Sequence, residues 1–288
     1  GALYEALSVY LLLAIGLKGG VQLATSSPGE VAGPIAGTLA LGLVIPLIAF
    51  AVLRGPGRFG RSDAAAIAAH YGSVSAVTFV VVLDYLAGLG LPAEEYVTVL
   101  LVVLEVPAIG IGIVLARLGG TRSERPNGWG RLAHELFFGK SIYLLLAGLV
   151  IGWVSGPKRL DGISPLFFDL FKGALALFLL EMGLVAARRL GDLKRAGAFL
   201  VGFGVLMPIL SAVLGILAAS ASGMAVGGAV VLATLAASSS YIAAPAAMRQ
   251  AVPEANPTLY LTASLGVTFP FNIVLGIPLY HQLAMLIY

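Results

Sequence analysis

The chain has 288 residues, 59% hydrophobic and 11% charged, with a net charge of +3 and no cysteine. Soluble domains carry about 25% charged residues, so this composition, with its mean hydropathy of +0.99, excludes a water-soluble protein and predicts an all-α, multi-pass protein of the cell membrane. The missing cysteines exclude disulfides and thiolate metal sites, and the basic residues sit in short loops, which gives no nucleic-acid surface.

Nine apolar segments have the length of a membrane span: about 3–23, 31–53, 64–87, 96–117, 134–154, 165–187, 197–219, 226–248 and 258–287. The first carries Lys18 and a glycine pair at 19–20. The loops after the second, fourth and sixth carry Arg54, Arg58 and Arg61; Arg117, Arg122, Arg125 and Arg131; and Arg188, Arg189, Lys194 and Arg195. Loops 24–30, 88–95 and 220–225 hold no Lys or Arg. This alternation places the basic loops in the cytoplasm; Lys158 and Arg159 are the exception.

The third segment is long enough to span, yet its middle reads His70-Tyr71-Gly72-Ser73-Val74-Ser75-Ala76-Val77-Thr78. The eighth has the same character around Ser238-Ser239-Ser240. Small hydroxyl residues at mid-membrane depth predict interrupted helices lining a polar pocket. Half-helix N-termini there would present backbone N–H groups and positive dipole ends to a small anion. The expected substrate-binding residues are Gly72, Ser73, Val74, Ser75 and Thr78 on one side and Ser238, Ser239 and Ser240 on the other. Unwound carbonyls and hydroxyls would hold sodium, a coupling ion rather than a cofactor, near Ser75, Glu105, Ser240 and Thr268. The alternative for such stretches is close helix packing through small residues.

The remaining intramembrane polar residues keep two readings each. Glu105 ligates a cation or bridges helices. Lys18 and Glu181 pair with each other or snorkel to opposite interfaces. His70 is a hydrogen-bonded core residue or a pH switch, and Asp84 is interfacial. No phosphate loop, GxSxG or HExxH occurs, and His134-Glu135 lacks a second histidine, so no catalytic residues are expected.

The halves repeat. Gly19 and Gly183 are 164 positions apart, Pro46 and Pro208 are 162 apart, and Pro107 and Pro270 are 163 apart. Segments one to four thus match six to nine, and a full plan would be five spans plus five, inserted with opposite topology. The domains expected are 1–118 (a first repeat lacking its first helix), a cytoplasmic linker 119–133, and a second repeat 134–288. A tenth helix is expected before residue 1.

HYGSVSAVTF at 70–79, LEVPAIGIGIVLA at 104–116 and ASSSYIAAPAAMRQAVPEANPTLYL at 237–261 together resemble the cyanobacterial-type sodium-dependent bicarbonate transporter family. The resemblance covers essentially the whole chain. It implies ten helices in two inverted repeats, a core domain moving against a gate domain in elevator-like alternating access, a homotrimer, and sodium-coupled uptake of bicarbonate. It also implies a small cytosolic regulator of the PII signalling type. Two departures stand out. The family has Asp after the triple serine, where this chain has Tyr241, which weakens the case for sodium coordination there. The central loop, 117–133, is much shorter, which leaves regulator docking through it without support. The alternatives are a sodium- or proton-coupled small-carboxylate transporter, an anion channel, or a membrane signalling scaffold. The polar residues form two local patches rather than the continuous stripe of a channel.

Overall fold

The computed structural model describes residues 2–118, 140–189, 191 and 193–288. Every regular element among them is helical: α1 Ala2–Thr25, α2 Pro28–Arg54, α3 Arg61–Gly72, α4 Ala76–Gly88, α5 Val97–Arg117, α6 Lys140–Leu160, α7 Phe171–Arg189, α8 Leu193–Ala221, α9 Val226–Ala237, α10 Ala243–Ala251 and α11 Pro257–Ile287. The predicted linker 119–133 lies outside the described residues, as does the start of the fifth segment.

Six helices or helix pairs among the described residues are long and apolar enough to cross a membrane. A further pair, 143–163 and 165–185, is bent by 90°. Leucines and valines of α2, α6, α7 and α8 stand exposed (Leu47, Val154, Leu180 and Leu206 among them). In a soluble protein such faces would drive association; against lipid they are the outer wall. The protein is a multi-pass integral membrane protein. The eighth predicted segment divides into α9 and α10, neither long enough to span alone.

Packing sorts the helices. α1 lies chiefly on α6 and touches α7, whereas α2, α3 and α5 pack together, as do α8 and α9. The α1–α6 contact follows from two small-xxx-small pairs, Gly16/Gly20 and Gly148/Gly152. A Cβ on Gly148 would meet the Leu13 carbonyl at 2.7 Å and the Gly16 Cα at 3.0 Å. A Cβ on Gly152 would meet the Gly20 Cα at 3.0 Å. The helices therefore run parallel in backbone-to-backbone contact, the geometry such motifs permit in lipid.

The interruptions of the third and eighth segments occupy the centre of the molecule. α3 and α9 each have 12 residues, and each ends in a serine with extended backbone: Ser73 at φ −94°, ψ 174° and Ser238 at φ −80°, ψ 173°. Residues 64–72 and 227–237 are buried throughout, so neither half-helix meets lipid. Gly72 has no room for a side chain, since a Cβ would lie 2.7 Å from both Ala108 Cβ and Pro46 Cδ. The helix prolines thus serve packing as well as irregularity. In α11, π-helical stretches at Thr262–Thr268 and Asn272–Gly276 flank the turn that holds Pro270, where the ladder loses one N–H donor.

Candidate functional site

Non-helical backbone at membrane depth must find its hydrogen bonds inside the protein. The two interruptions largely satisfy each other. The Ser75 amide donates to Ser238 Oγ at 2.9 Å, and the Ser240 amide donates to the His70 carbonyl at 2.9 Å. Ser238 Oγ also donates back to the Leu235 carbonyl at 2.8 Å. In each new helix a serine then takes one first-turn amide. Ser75 Oγ accepts from the Thr78 amide at 3.1 Å, and Ser240 Oγ accepts from the Ala244 amide at 3.1 Å. Serine favours such local bonds over continuing the helix, which is why these stretches break.

The serines are therefore mostly occupied in building the crossing. Ser75 Oγ also receives Thr78 Oγ1 at 2.9 Å and donates to the Tyr241 hydroxyl at 2.9 Å. Tyr241 packs edge-on to Phe269, ring centroids 5.3 Å apart. What the breaks leave open is backbone. A first helical turn has no internal acceptors for its N–H groups. After Thr78 N is capped and Phe79 N bonds Ser75 O, the amides of Ala76 and Val77 have no partner among the described residues. Past the second break the same holds for Ala243, while Pro245 in the same turn has no N–H to satisfy.

Glu105 joins the two breaks. It is 5% exposed, and its carboxyl faces the Val74 amide and the hydroxyls of Ser73 and Ser240. Ser73 Oγ lies beside it without closing a hydrogen bond of good geometry. Of the residues expected around sodium, Glu105 and Ser240 come together here. Ser75 is turned toward Tyr241. The Thr268 hydroxyl takes another place, bonded to the Tyr71 hydroxyl and the Gly204 carbonyl, both at 2.7 Å. Ser239 makes a long 3.5 Å contact to the Ser264 carbonyl. Asn272, near Thr268, donates to the Ala237 carbonyl at 2.9 Å and so secures the end of α9.

His70 has the core role: its Nδ1–H donates to the Ala66 carbonyl at 2.6 Å and its ring stacks on Tyr260 at 4.5 Å. Lys18 is not paired with Glu181 among the described residues; its ammonium sits 3.9 Å from the Phe171 ring centroid, a cation–π contact. Asp84 is exposed and forms a 2.8 Å ion pair with Lys172 of α7.

Two cavities lie between α1, α4 and α7. The wider, about 450 Å³, is lined by Lys18, Gln22, Asp84, Thr98 and Lys172 among others. The smaller, about 10 Å³, reaches Ala76, Val77 and Ile242, the starts of the two new helices. Ile15, Val80 and Leu175 line both and stand between them. No lysine or arginine lines the inner cavity.

Sequence reasoning found both breaks, and the structure places Glu105 beside them. That reasoning missed the Tyr241–Ser75 bond, for which no spacing rule exists, and the α1–α6 contact, which Gly16-xxx-Gly20 and Gly148-xxx-Gly152 would have signalled. In comparisons with known proteins, the family model of the Na+-dependent bicarbonate transporter superfamily matches residues 1–285. No curated protein matches the chain.

Proposed function

The chain belongs to the Na+-dependent bicarbonate transporter superfamily, and we propose that it is a sodium-coupled symporter importing a small monoanion, bicarbonate first. The observation that carries this reading is the crossing itself. Two half-helices begin there with unpartnered amides, in a buried place without a basic side chain, beside one buried carboxyl group. Amides at helix N-termini favour a small anion. Glu105 with the Ser240 hydroxyl supplies hard oxygen donors for sodium, and a cation beside the anion offsets the cost of burying either charge alone.

The equal lengths of α3 and α9, their matching serine ends, and the proline spacing support two inverted repeats, 1–118 and 134–288. The separate packing of α1, α6 and α7 supports a gate unit moving against a core of α2–α5 and α8–α11. On this reading the basic loops face the cytoplasm, the wider cavity opens outward, and the protein works as a homotrimer. A PII-type regulator would have to dock elsewhere than on a long central loop.

Proteoliposomes holding the purified protein test this. Uptake of radiolabelled bicarbonate should rise at least severalfold with an inward sodium gradient over a choline control. Sodium-independent flux would indicate a channel. Uptake of acetate or pyruvate in preference to bicarbonate would move the reading to a carboxylate transporter.

A further inference from the structure

The wider cavity holds a cation that the crossing does not use. Its walls come from α1, α7 and the segment just before α7 on one side, and from α4 and the start of α5 on the other. Lys18 stands among them half-buried. Its ammonium forms no hydrogen bond or ion pair among the described residues; it lies 3.9 Å from the Phe171 ring centroid and 5.8 Å from that of Phe168. The rings offset part of the cost of withdrawing the charge from water. They leave the three N–H donors of the ammonium without an oxygen acceptor. The other polar residues of the lining are engaged or turned to solvent. Lys172 is paired with Asp84 at 2.8 Å, both exposed, and Thr98 donates to Gln22 at 3.0 Å. Asp169 is exposed and closes no ion pair with Lys18 among the described residues. Ile15, Phe79, Val80, Leu83 and Leu175 supply an apolar wall. At about 450 Å³ the cavity has the size of a small-molecule site, and such sites pair an apolar lining with a few placed polar groups.

We propose that this cavity binds a small organic acid, an aromatic monocarboxylate in class, with its carboxylate on the Lys18 ammonium and its ring against Phe79, Val80 and Leu83. An ionised carboxylate only accepts and an ammonium only donates, so the two are complementary. A small inorganic anion would meet Lys18 but leave the apolar wall in water. A neutral amphiphile would cover the wall but leave the ammonium without an acceptor. The site is distinct from the crossing and stands whether or not the crossing holds an anion. One consequence does rest on the reading of α1, α6 and α7 as a gate moving against a core: an occupant touching α1 and α4 together holds the two units in place and so inhibits uptake.

The test is binding of 2-naphthoate to the protein in phosphatidylcholine nanodiscs, read as a saturable rise in the thermal midpoint. 2-Naphthamide has the same ring system without the charge, and acetate has the head group without the ring. Each should bind about tenfold more weakly or worse. Lys18→Met should weaken 2-naphthoate about tenfold or more, as for one lost hydrogen bond to a charged group, and Lys18→Arg should keep it. Asp169→Asn, which removes a carboxylate from the lining, should tighten it. Equal binding of 2-naphthoate and 2-naphthamide, or unchanged binding in Lys18→Met, would overturn the assignment. So would a weakening in Asp169→Asn as large as that in Lys18→Met, because the fold around the ammonium rather than its charge is then at stake. If replacing half of the phosphatidylcholine by phosphatidylglycerol abolishes 2-naphthoate binding, the occupant is a bilayer lipid and the free acid is the wrong ligand. Inhibition is read apart from binding, in proteoliposomes, where saturating 2-naphthoate should lower the maximal rate of bicarbonate uptake. Binding without inhibition would keep the site and contradict the core-and-gate reading alone.

Discussion

At the scale of single residues, the serines were legible as helix breaks but their jobs were not. Composition at mid-membrane depth located Ser73, Ser75 and Ser238–Ser240, since hydroxyls there need a reason. It could not say that Ser75 and Ser240 would spend their oxygens as helix caps, because that depends on where the next helix starts. The donors left over are amides of Ala76 and Val77, which leave no mark in a sequence. Glu105 was visible as the deepest carboxylate, and its two readings, bridge or cation ligand, both remain open where its carboxyl faces the Val74 amide and the Ser73 and Ser240 hydroxyls. Glu105→Gln separates them. As a cation ligand, its loss should raise the sodium concentration for half-maximal uptake roughly tenfold, the cost of one charged contact, with the protein still folded and inserted. Unchanged sodium activation would assign Glu105 to bridging alone.

At the scale of elements, hydropathy located the apolar segments well and their interiors poorly. The broken third and eighth segments were found because small polar residues interrupt them. The π-helical stretches of α11 on either side of Pro270 leave no mark in the hydropathy. The α1–α6 contact depends on four glycines that fit one another across 132 positions of chain between Gly16 and Gly148, a long-range fact. It makes a sharp contrast in stability. Gly148→Ala pushes a methyl against the Leu13 carbonyl at 2.7 Å and should cost about 1–3 kcal/mol, as overpacking does. Gly183→Ala, on α7, meets nothing within 4 Å; it should be neutral or slightly stabilising, since alanine is the better helix former. Thermal unfolding in detergent compares the two. Equal midpoints would mean that α1 and α6 do not depend on that contact.

At the scale of the whole molecule, the hydrogen bonds between loops sort the two ends. Ser62 bonds Glu254 at 3.0 Å and the Asn256 amide bonds Asp63 at 2.7 Å at the end with Arg54 and Arg58. Thr25 bonds Glu95 at 3.1 Å at the other. The proposed topology puts the first end in the cytoplasm, and the absence of native cysteine makes labelling clean. Leu89→Cys should react with an impermeant maleimide on intact cells, and Arg58→Cys only after permeabilisation. The reverse pattern would invert the proposed direction of transport.

The central claim is that the anion is held by helix ends rather than by a basic side chain. Bicarbonate affinity in Ser239→Pro and Lys18→Met tests it most directly, with each variant first checked for its thermal midpoint. Ser239→Pro removes an amide from the second break. Lys18, on the Phe171 ring, lines only the wider cavity. The account predicts a ten- to hundredfold loss of affinity in Ser239→Pro, about 1.5–3 kcal/mol, and a smaller change in Lys18→Met. Normal binding by Ser239→Pro together with no binding by Lys18→Met would contradict it.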